Sequence, residues 1–227
     1  VVFNHPADIP RIEYATDGTV RGFLIEDART NLVPYSEAFD NAEWVPQATS
    51  VTSDNAVAPD GGLSADTLVA DTASGEHYLQ ENLTAATGTF TDSVYAKAVG
   101  ENYFFSIRPV NVGADQGATQ QAYFDLRDGT VLSTTSGTTA IVEDVGNGWY
   151  RCSISFTVSG TLSGSYAVRF QLYGDDGSGG IVSLYAGDGS SGAHIWGAQR
   201  ELGSFATSYI PTSGATATRT KDIANLA

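Results

Sequence analysis

The sequence has no methionine, one cysteine and three histidines, and its 11 basic residues are outnumbered by 26 acidic ones. A single cysteine excludes any disulfide within the chain, so a packed core rather than a disulfide framework has to hold the fold. Without methionine, Val1 does not read as a translational start, and the chain reads as a mature or trimmed part of something longer. The net charge is −15 and the pI about 4.3, which argues against a nucleic-acid partner, because such a partner needs a basic footprint that displaces counterions. An anionic bilayer would repel the chain for the same reason. No apolar run nears the roughly 20 residues that cross a bilayer, so no membrane insertion is expected. No basic-then-apolar leader is visible at the N-terminus.

What is present is glycine (25 residues), many Ser and Thr, and 41% hydrophobic content in 227 residues. That suffices for one well-filled core, and glycine with β-branched residues favours short strands and turns over helices. Alternation is clear in Trp149–Val158, where Tyr150, Cys152, Ile154 and Phe156 oppose Arg151, Ser153 and Ser155. It recurs in Ser165–Tyr173 and Thr91–Ala98, the latter with Val94, Ala96 and Ala98 against Ser93, Tyr95 and Lys97. Further strands are expected at Tyr103–Pro109, Gln121–Leu126, Thr130–Ser133, Ile181–Tyr185 and Ala193–Gln199, with Asp128-Gly129 as a hairpin turn. Pro6 and Pro10 break any early helix, and Asp17-Gly18 suggests a hairpin of Arg11–Tyr14 with Thr19–Ile25. A short helical turn is expected around Ser36–Ala42, capped by Ser36.

The expected fold is an all-β antiparallel sandwich of jelly-roll type. Residues 1–30 would form an attachment segment, 31–212 the sandwich and 213–227 a linker or arm.

Catalytic sets are hard to find. His5, His77 and His194 lack metal-ligand spacing, no G-x-S-x-G elbow occurs, and Cys152 lies on the apolar face of its strand, where it behaves as a small hydrophobe. Glycoside hydrolysis needs two carboxylates flanking one bond. Glu76, Glu81, Asp175, Asp176 and Asp188 are candidates, but 26 acids produce pairs by chance, and the Asp-Gly sequences read as turns. The chain is therefore expected not to be an enzyme.

Binding is better supported. The polar strand faces collect Tyr95, Lys97, Arg108, Trp149, Arg151, Arg169, Gln171 and Tyr173. Aromatic faces suit sugar C–H surfaces, and Arg, Gln and Lys supply hydrogen bonds to hydroxyls and carboxylates. If these residues share one sheet face, four of the scarce bases make a positive strip suited to an anionic polysaccharide. Trp44 and Trp196 read instead as core plugs.

Several stretches, in order, span nearly the whole chain: GFLIEDART (Gly22–Thr30), NLVPYSEAFDNAEW (Asn31–Trp44), APDGGLSADTL (Ala58–Leu68) and SVYAKA (Ser93–Ala98). They continue with YFDLRDGTV (Tyr123–Val131), GWYRCS (Gly148–Ser153) and IWGAQRELGSFATSYIPT (Ile195–Thr212). In these the chain resembles the carbohydrate-binding-module-like jelly roll of phage tail and head-spike proteins, including those of gene transfer agents. Asn31–Trp44 and SVYAKA are also similar, more distantly, to carbohydrate-binding modules of families 4, 9 and 22, whose ligand lies across the concave sheet. The resemblance implies glycan recognition, a virion-surface or extracellular location, other virion proteins as partners and a homo-oligomeric appendage. Such modules often hold a structural calcium through acids in the first and last strands. Here the final strand reads His194-Ile195-Trp196-Gly197-Ala198, so no cofactor is expected, and calcium stays open only at Glu37 and Asp40. A purely structural virion spacer and a glycan-cleaving enzyme remain the alternatives.

Overall fold

The alternating segments become strands in the computed structural model of the chain, which describes residues 11–14, 19–101, 103–111, 120–159 and 166–222; no helix occurs among them. In chain order the strands are β1 (Arg11–Tyr14), β2 (Val20–Leu24), β3 (Arg29–Asn31), β4 (Trp44–Gln47), β5 (Thr49–Val57) and β6 (Leu63–Ala70). Next come β7 (Ser74–Gly75), β8 (His77–Leu83), β9 (Gly88–Val99), β10 (Phe104–Asn111), β11 (Ala122–Asp125) and β12 (Thr130–Thr134). The last are β13 (Thr138–Gly146), β14 (Trp149–Val158), β15 (Tyr166–Asp175), β16 (Ile181–Val182), β17 (Tyr185–Ala186), β18 (Gly192–Leu202) and β19 (Ala217–Arg219).

Two antiparallel sheets face each other. One runs β12-β11-β10-β15-β8-β4 with β16 beside β15, and the other runs β13-β14-β9-β18-β6-β5. Consecutive strands such as β8, β9 and β10 alternate between the sheets, so the fold is an antiparallel β-sandwich of jelly-roll kind. Leu79, Phe105, Ile107, Phe124 and Phe170 from the first sheet meet Leu68, Val94, Cys152, Ile154 and Ile195 from the second. Each such side chain contributes about 1.5–3 kcal/mol by leaving water. Trp44 stacks on Phe170, with centroids 5.4 Å apart, while its indole N–H donates to the Tyr35 carbonyl at 2.9 Å. A charged pair also lies inside: Arg200 donates to both Asp92 oxygens at 2.6 Å, and both residues are buried.

The outer face of the β9 sheet is covered in turn. Tyr95, Trp149 and Trp196 form a second apolar cluster with Ala58 and Ala65, and Tyr209 packs against it. The chain after β18 crosses this face as a strap. Glu201 accepts from the Thr207 amide and hydroxyl at 2.7 Å each, and Gln199 accepts from the Ile210 amide at 2.7 Å. Beyond it β19 pairs with β3, Arg219 opposite Arg29, so segments from the two ends of the chain lie side by side.

The expected hairpin of Arg11–Tyr14 with Thr19–Ile25 is seen as β1 paired with β2, and that at Asp128-Gly129 joins β11 to β12. His5, Pro6, Pro10 and the Asp17-Gly18 turn lie outside the described residues. Two expectations are corrected. Ser36–Ala42 is a run of bends and turns; Ser36 caps no helix, its hydroxyl meeting that of Tyr209 at 2.6 Å and accepting from the Thr212 amide at 2.8 Å. Ile181–Tyr185 is not one strand, because Ser183 and Leu184 interrupt it between β16 and β17.

Candidate functional site

The eight residues singled out in the sequence divide between the two sheets. Tyr95, Lys97, Trp149 and Arg151 stand on the outer face of the β9 sheet, whereas Arg108, Arg169, Gln171 and Tyr173 stand on the outer face of the β10 sheet. The expectation of a single strip of four bases is thereby corrected. Period-2 alternation separates the inner from the outer side of a strand, and it carries no information about which sheet the strand joins.

The first group lies beneath the strap. Tyr95 and Trp149 are buried, the Trp149 indole donating to the Val57 carbonyl at 3.2 Å. Arg151, also buried, donates to the Thr207 carbonyl at 2.7 Å and to Ser93 Oγ at 3.2 Å. Arg151 and Tyr95 hold the strap down, Tyr95 through the Tyr209 ring that meets it edge-on with centroids 6.3 Å apart. Lys97 is half-buried opposite His194, whose pKa is lowered by burial and by that neighbouring ammonium.

The second group forms a compact polar grid set by strand register. Arg108 lies directly opposite Arg169 and Ser106 opposite Gln171, while Phe104 faces Tyr173. One strand further out, Tyr123 faces Ser106; on the other side Tyr78 faces Gln171 and Gln80 faces Arg169. Like charges set opposite each other across a ladder cost stability, so the arginine pair needs local support. Arg169 donates through Nε and Nη2 to Gln80 Oε1 at 3.2 and 2.9 Å and lies over the Tyr78 ring, 3.6 Å from its centroid. Glu76 sits between the guanidiniums, 3.5 Å from Arg108 Nη1 and 3.6 Å from Arg169 Nη1. Burial lowers the pKa of Arg169, with the Arg108 charge acting in the same direction.

At the centre, Gln121 donates to Ser106 Oγ at 2.9 Å and to the Tyr173 hydroxyl, and accepts from Tyr123 at 3.1 Å. Burial raises the Tyr173 pKa and keeps the phenol neutral. Tyr123 packs edge-on against Tyr173 with centroids 5.2 Å apart. Two polar atoms here have no hydrogen-bond partner among the described residues: Gln171 Oε1 and Arg108 Nε, both buried. An unsatisfied buried polar atom costs about 1–3 kcal/mol.

Gln80, Gln121, Tyr78, Tyr123 and Glu76 were not named with the binding residues in the sequence. Gln80 and Tyr78 lie on β8, whose inward side carries His77 and Glu81 among its leucines and so hides the alternation.

The carboxylates weighed for catalysis do not meet. Glu76 touches the outer-face arginines, while Glu81 is buried on the inner side, opposite Trp44 and Val168. Asp175 and Asp176 accept amide hydrogens from Gly177, Gly179, Ser178 and Gly180, as turn residues do. Asp188 is likewise held by Ser190 and Ser191, which depress its pKa. No cluster of three or more His, Cys, Asp or Glu able to hold a metal occurs among the described residues, Glu37 and Asp40 included.

No family model and no curated protein matches the sequence. Among solved structures the chain is similar to the carbohydrate-binding module TmCBM61 in complex with β-1,4-galactotriose. That likeness has a TM-score of 0.43 and 12% identity over 75% of this chain and 97% of the module. It is also similar to the enzymatically active domain of tailspike protein 4 of bacteriophage CBA120, with a TM-score of 0.40 and 14% identity over 75% of this chain. The match spans 21% of the tailspike chain. Neither likeness assigns a ligand or a residue role to this protein.

Proposed function

We propose that this protein binds carbohydrate without transforming it, through the outer face of the β10 sheet, and that its ligand is an anionic polysaccharide. The observation that carries this reading is the Arg108–Arg169 pair, set opposite each other across β10 and β15 with a single carboxylate between them. Two guanidiniums and one carboxylate leave one positive charge in a protein of net charge −15. Around it the half-buried Tyr78 and Tyr123 offer aromatic surface and Gln80 an amide, the combination that sugar hydroxyls and acidic substituents require, with the buried Gln121 and Gln171 holding the grid in place beneath them.

The setting we propose is a virion appendage or other extracellular surface, with other virion proteins as neighbours. Copies assembled as a homo-oligomer would multiply a weak single site by avidity. One observation favours a second reading, that of a structural spacer bound to protein partners. Ile12, Val20, Phe23 and Ile25, on and beside the β1–β2 hairpin, are exposed, and clustered exposed apolar residues mark protein contacts.

Affinity electrophoresis in gels containing a polyuronate, a sulfated polymer or a neutral galactan, at low and moderate salt, tests the proposal. Retardation by an acidic polymer, weakened by salt and lost in Arg169→Ala and Arg108→Ala but kept in Arg151→Ala, is expected. Absence of retardation by every polymer, with the protein folded and assembled, would remove the carbohydrate reading and leave the spacer.

A further inference from the structure

Glu76 occupies its place loosely. Its Oε1 is 3.5 Å from both Arg108 Nη1 and Gln171 Nε2, and its Oε2 is 3.6 Å from Arg169 Nη1. A well-made guanidinium–carboxylate bond runs about 2.7–2.9 Å, and the Arg200–Asp92 pair in this same protein is as close as 2.6 Å. The Glu76 side chain is 38% exposed, against 24% for Arg108 and 11% for Arg169. It is therefore shared among three donors, seated closely on none, and open to water on one side. Beside it, Arg108 Nε has no acceptor and Gln171 Oε1 no donor among the described residues, both atoms being enclosed. A sugar acid's carboxylate can take the place that Glu76 fills so loosely on the two partly exposed guanidiniums.

From this we infer that Glu76 is an internal stand-in for the ligand's anionic group, a specificity-determining residue that an incoming uronate displaces from Arg108 and Arg169. The inference rests on the carbohydrate-binding reading and deepens it. Glu76 holds the arginines apart from solvent anions until a polymer with several acidic residues competes it away. A neutral glycan brings no replacement anion and leaves Glu76 where it is. Removing the carboxylate therefore strengthens acidic ligands alone. Two partly exposed contacts of this kind correspond to roughly a three- to tenfold gain in affinity.

Calorimetric titration of the full chain with galacturonate oligomers, with neutral galactan oligomers of equal length, and with a sulfated galactan tests this in the wild type, Glu76→Gln and Glu76→Ala. A thermal melt of each protein verifies folding. A gain for the uronate in both variants, with neutral binding unchanged and the gain abolished when Arg108→Ala is added, is the expected result. A gain for the sulfated polymer only would assign the seat to sulfate and overturn the uronate inference. Wild-type binding of uronate that stays equal or weakens in both variants would overturn the inference while leaving carbohydrate binding in place. Uronate binding that appears only in the variants would support it. If no protein binds any of the three ligands, the functional reading itself fails and the inference falls with it.

Discussion

Replacing Glu81 should turn a protein that loses stability with rising pH into one that loses much less. Glu81 lies on the inner side of β8 between Trp44 and Val168, almost wholly buried, and its Oε2 has no hydrogen-bond partner among the described residues. Burial pushes its pKa up to about 8 from the usual 4.5, with Glu43 adding to the rise and Arg200 opposing it. Because the folded-state pKa lies above the unfolded one, the fold favours the protonated acid. Below about pH 4.5 both states are protonated and the group does not affect stability. Between there and pH 8 the unfolded chain ionises while the folded chain resists, so stability falls by about 1.4 kcal/mol per pH unit. Above pH 8 the penalty levels off on the order of 5 kcal/mol. Glu81→Gln keeps the shape and removes the ionisation. Urea denaturation of both proteins from pH 5 to 9 should give nearly equal stabilities at pH 5 and a gap of several kcal/mol at pH 8.5. At roughly 2–4 °C per kcal/mol for a chain of this size, melting temperatures should separate by about 10 °C. Parallel stability curves for the two proteins across that range would show that Glu81 is solvated or ion-paired in the fold, and the argument would be refuted.

Other expectations follow from particular contacts. Asp92→Ala leaves Arg200 charged and buried without a partner, and should cost about 3–5 kcal/mol in urea denaturation, whereas the double change Asp92→Leu with Arg200→Met should cost far less. Equal losses in the two proteins would mean that the pair is not desolvated. Arg151→Ala removes the bond to the Thr207 carbonyl and should lower stability by about 1–3 kcal/mol without altering polysaccharide retention; altered retention with unchanged stability would put the ligand on the β9 sheet instead. Gly192→Ala would place a Cβ 1.9 Å from the Leu68 carbonyl oxygen, so soluble, folded protein should not be recovered. Normal yield with a native tryptophan emission spectrum would contradict that packing.

The long central strands were legible because burial on one side stamps period 2 on them. In β14 the inward Cys152, Ile154 and Phe156 oppose Arg151, Ser153 and Ser155, and its boundaries fall where the alternation ends. Less of the rest could be read. β5 and β13 lie at the two edges of their sheet and keep most residues exposed, so nothing forces apolar side chains into alternate positions. In β8 the inward row includes His77 and Glu81, polar residues that erase the pattern although the geometry is regular. His77 is held there by carbonyls, its Nδ1 lying 2.6 Å from the Ala48 oxygen and its Nε2 3.0 Å from that of Tyr185. The candidate site was half visible. Arg108, Arg169, Gln171 and Tyr173 do come together, yet no local signal announces that Gly203–Thr212 would fold back over Tyr95 and Arg151. That outcome depends on contacts such as Glu201 with Thr207, which become neighbours only when the whole sandwich has formed.

The pairing of β3 with β19 has a mechanical consequence. The antiparallel arrangement sets Arg29 beside Arg219, and it continues outward where the Asp222 amide donates to the Glu26 carbonyl at 3.0 Å and Arg219 pairs with Glu26 at 3.0 Å. Tension applied through the preceding and following chain enters and leaves at adjacent points, pulling these contacts apart one at a time as a zipper opens. The sandwich hangs beside that line of force, so stretching would unfasten the clasp before it loads the strands that carry Arg108 and Arg169.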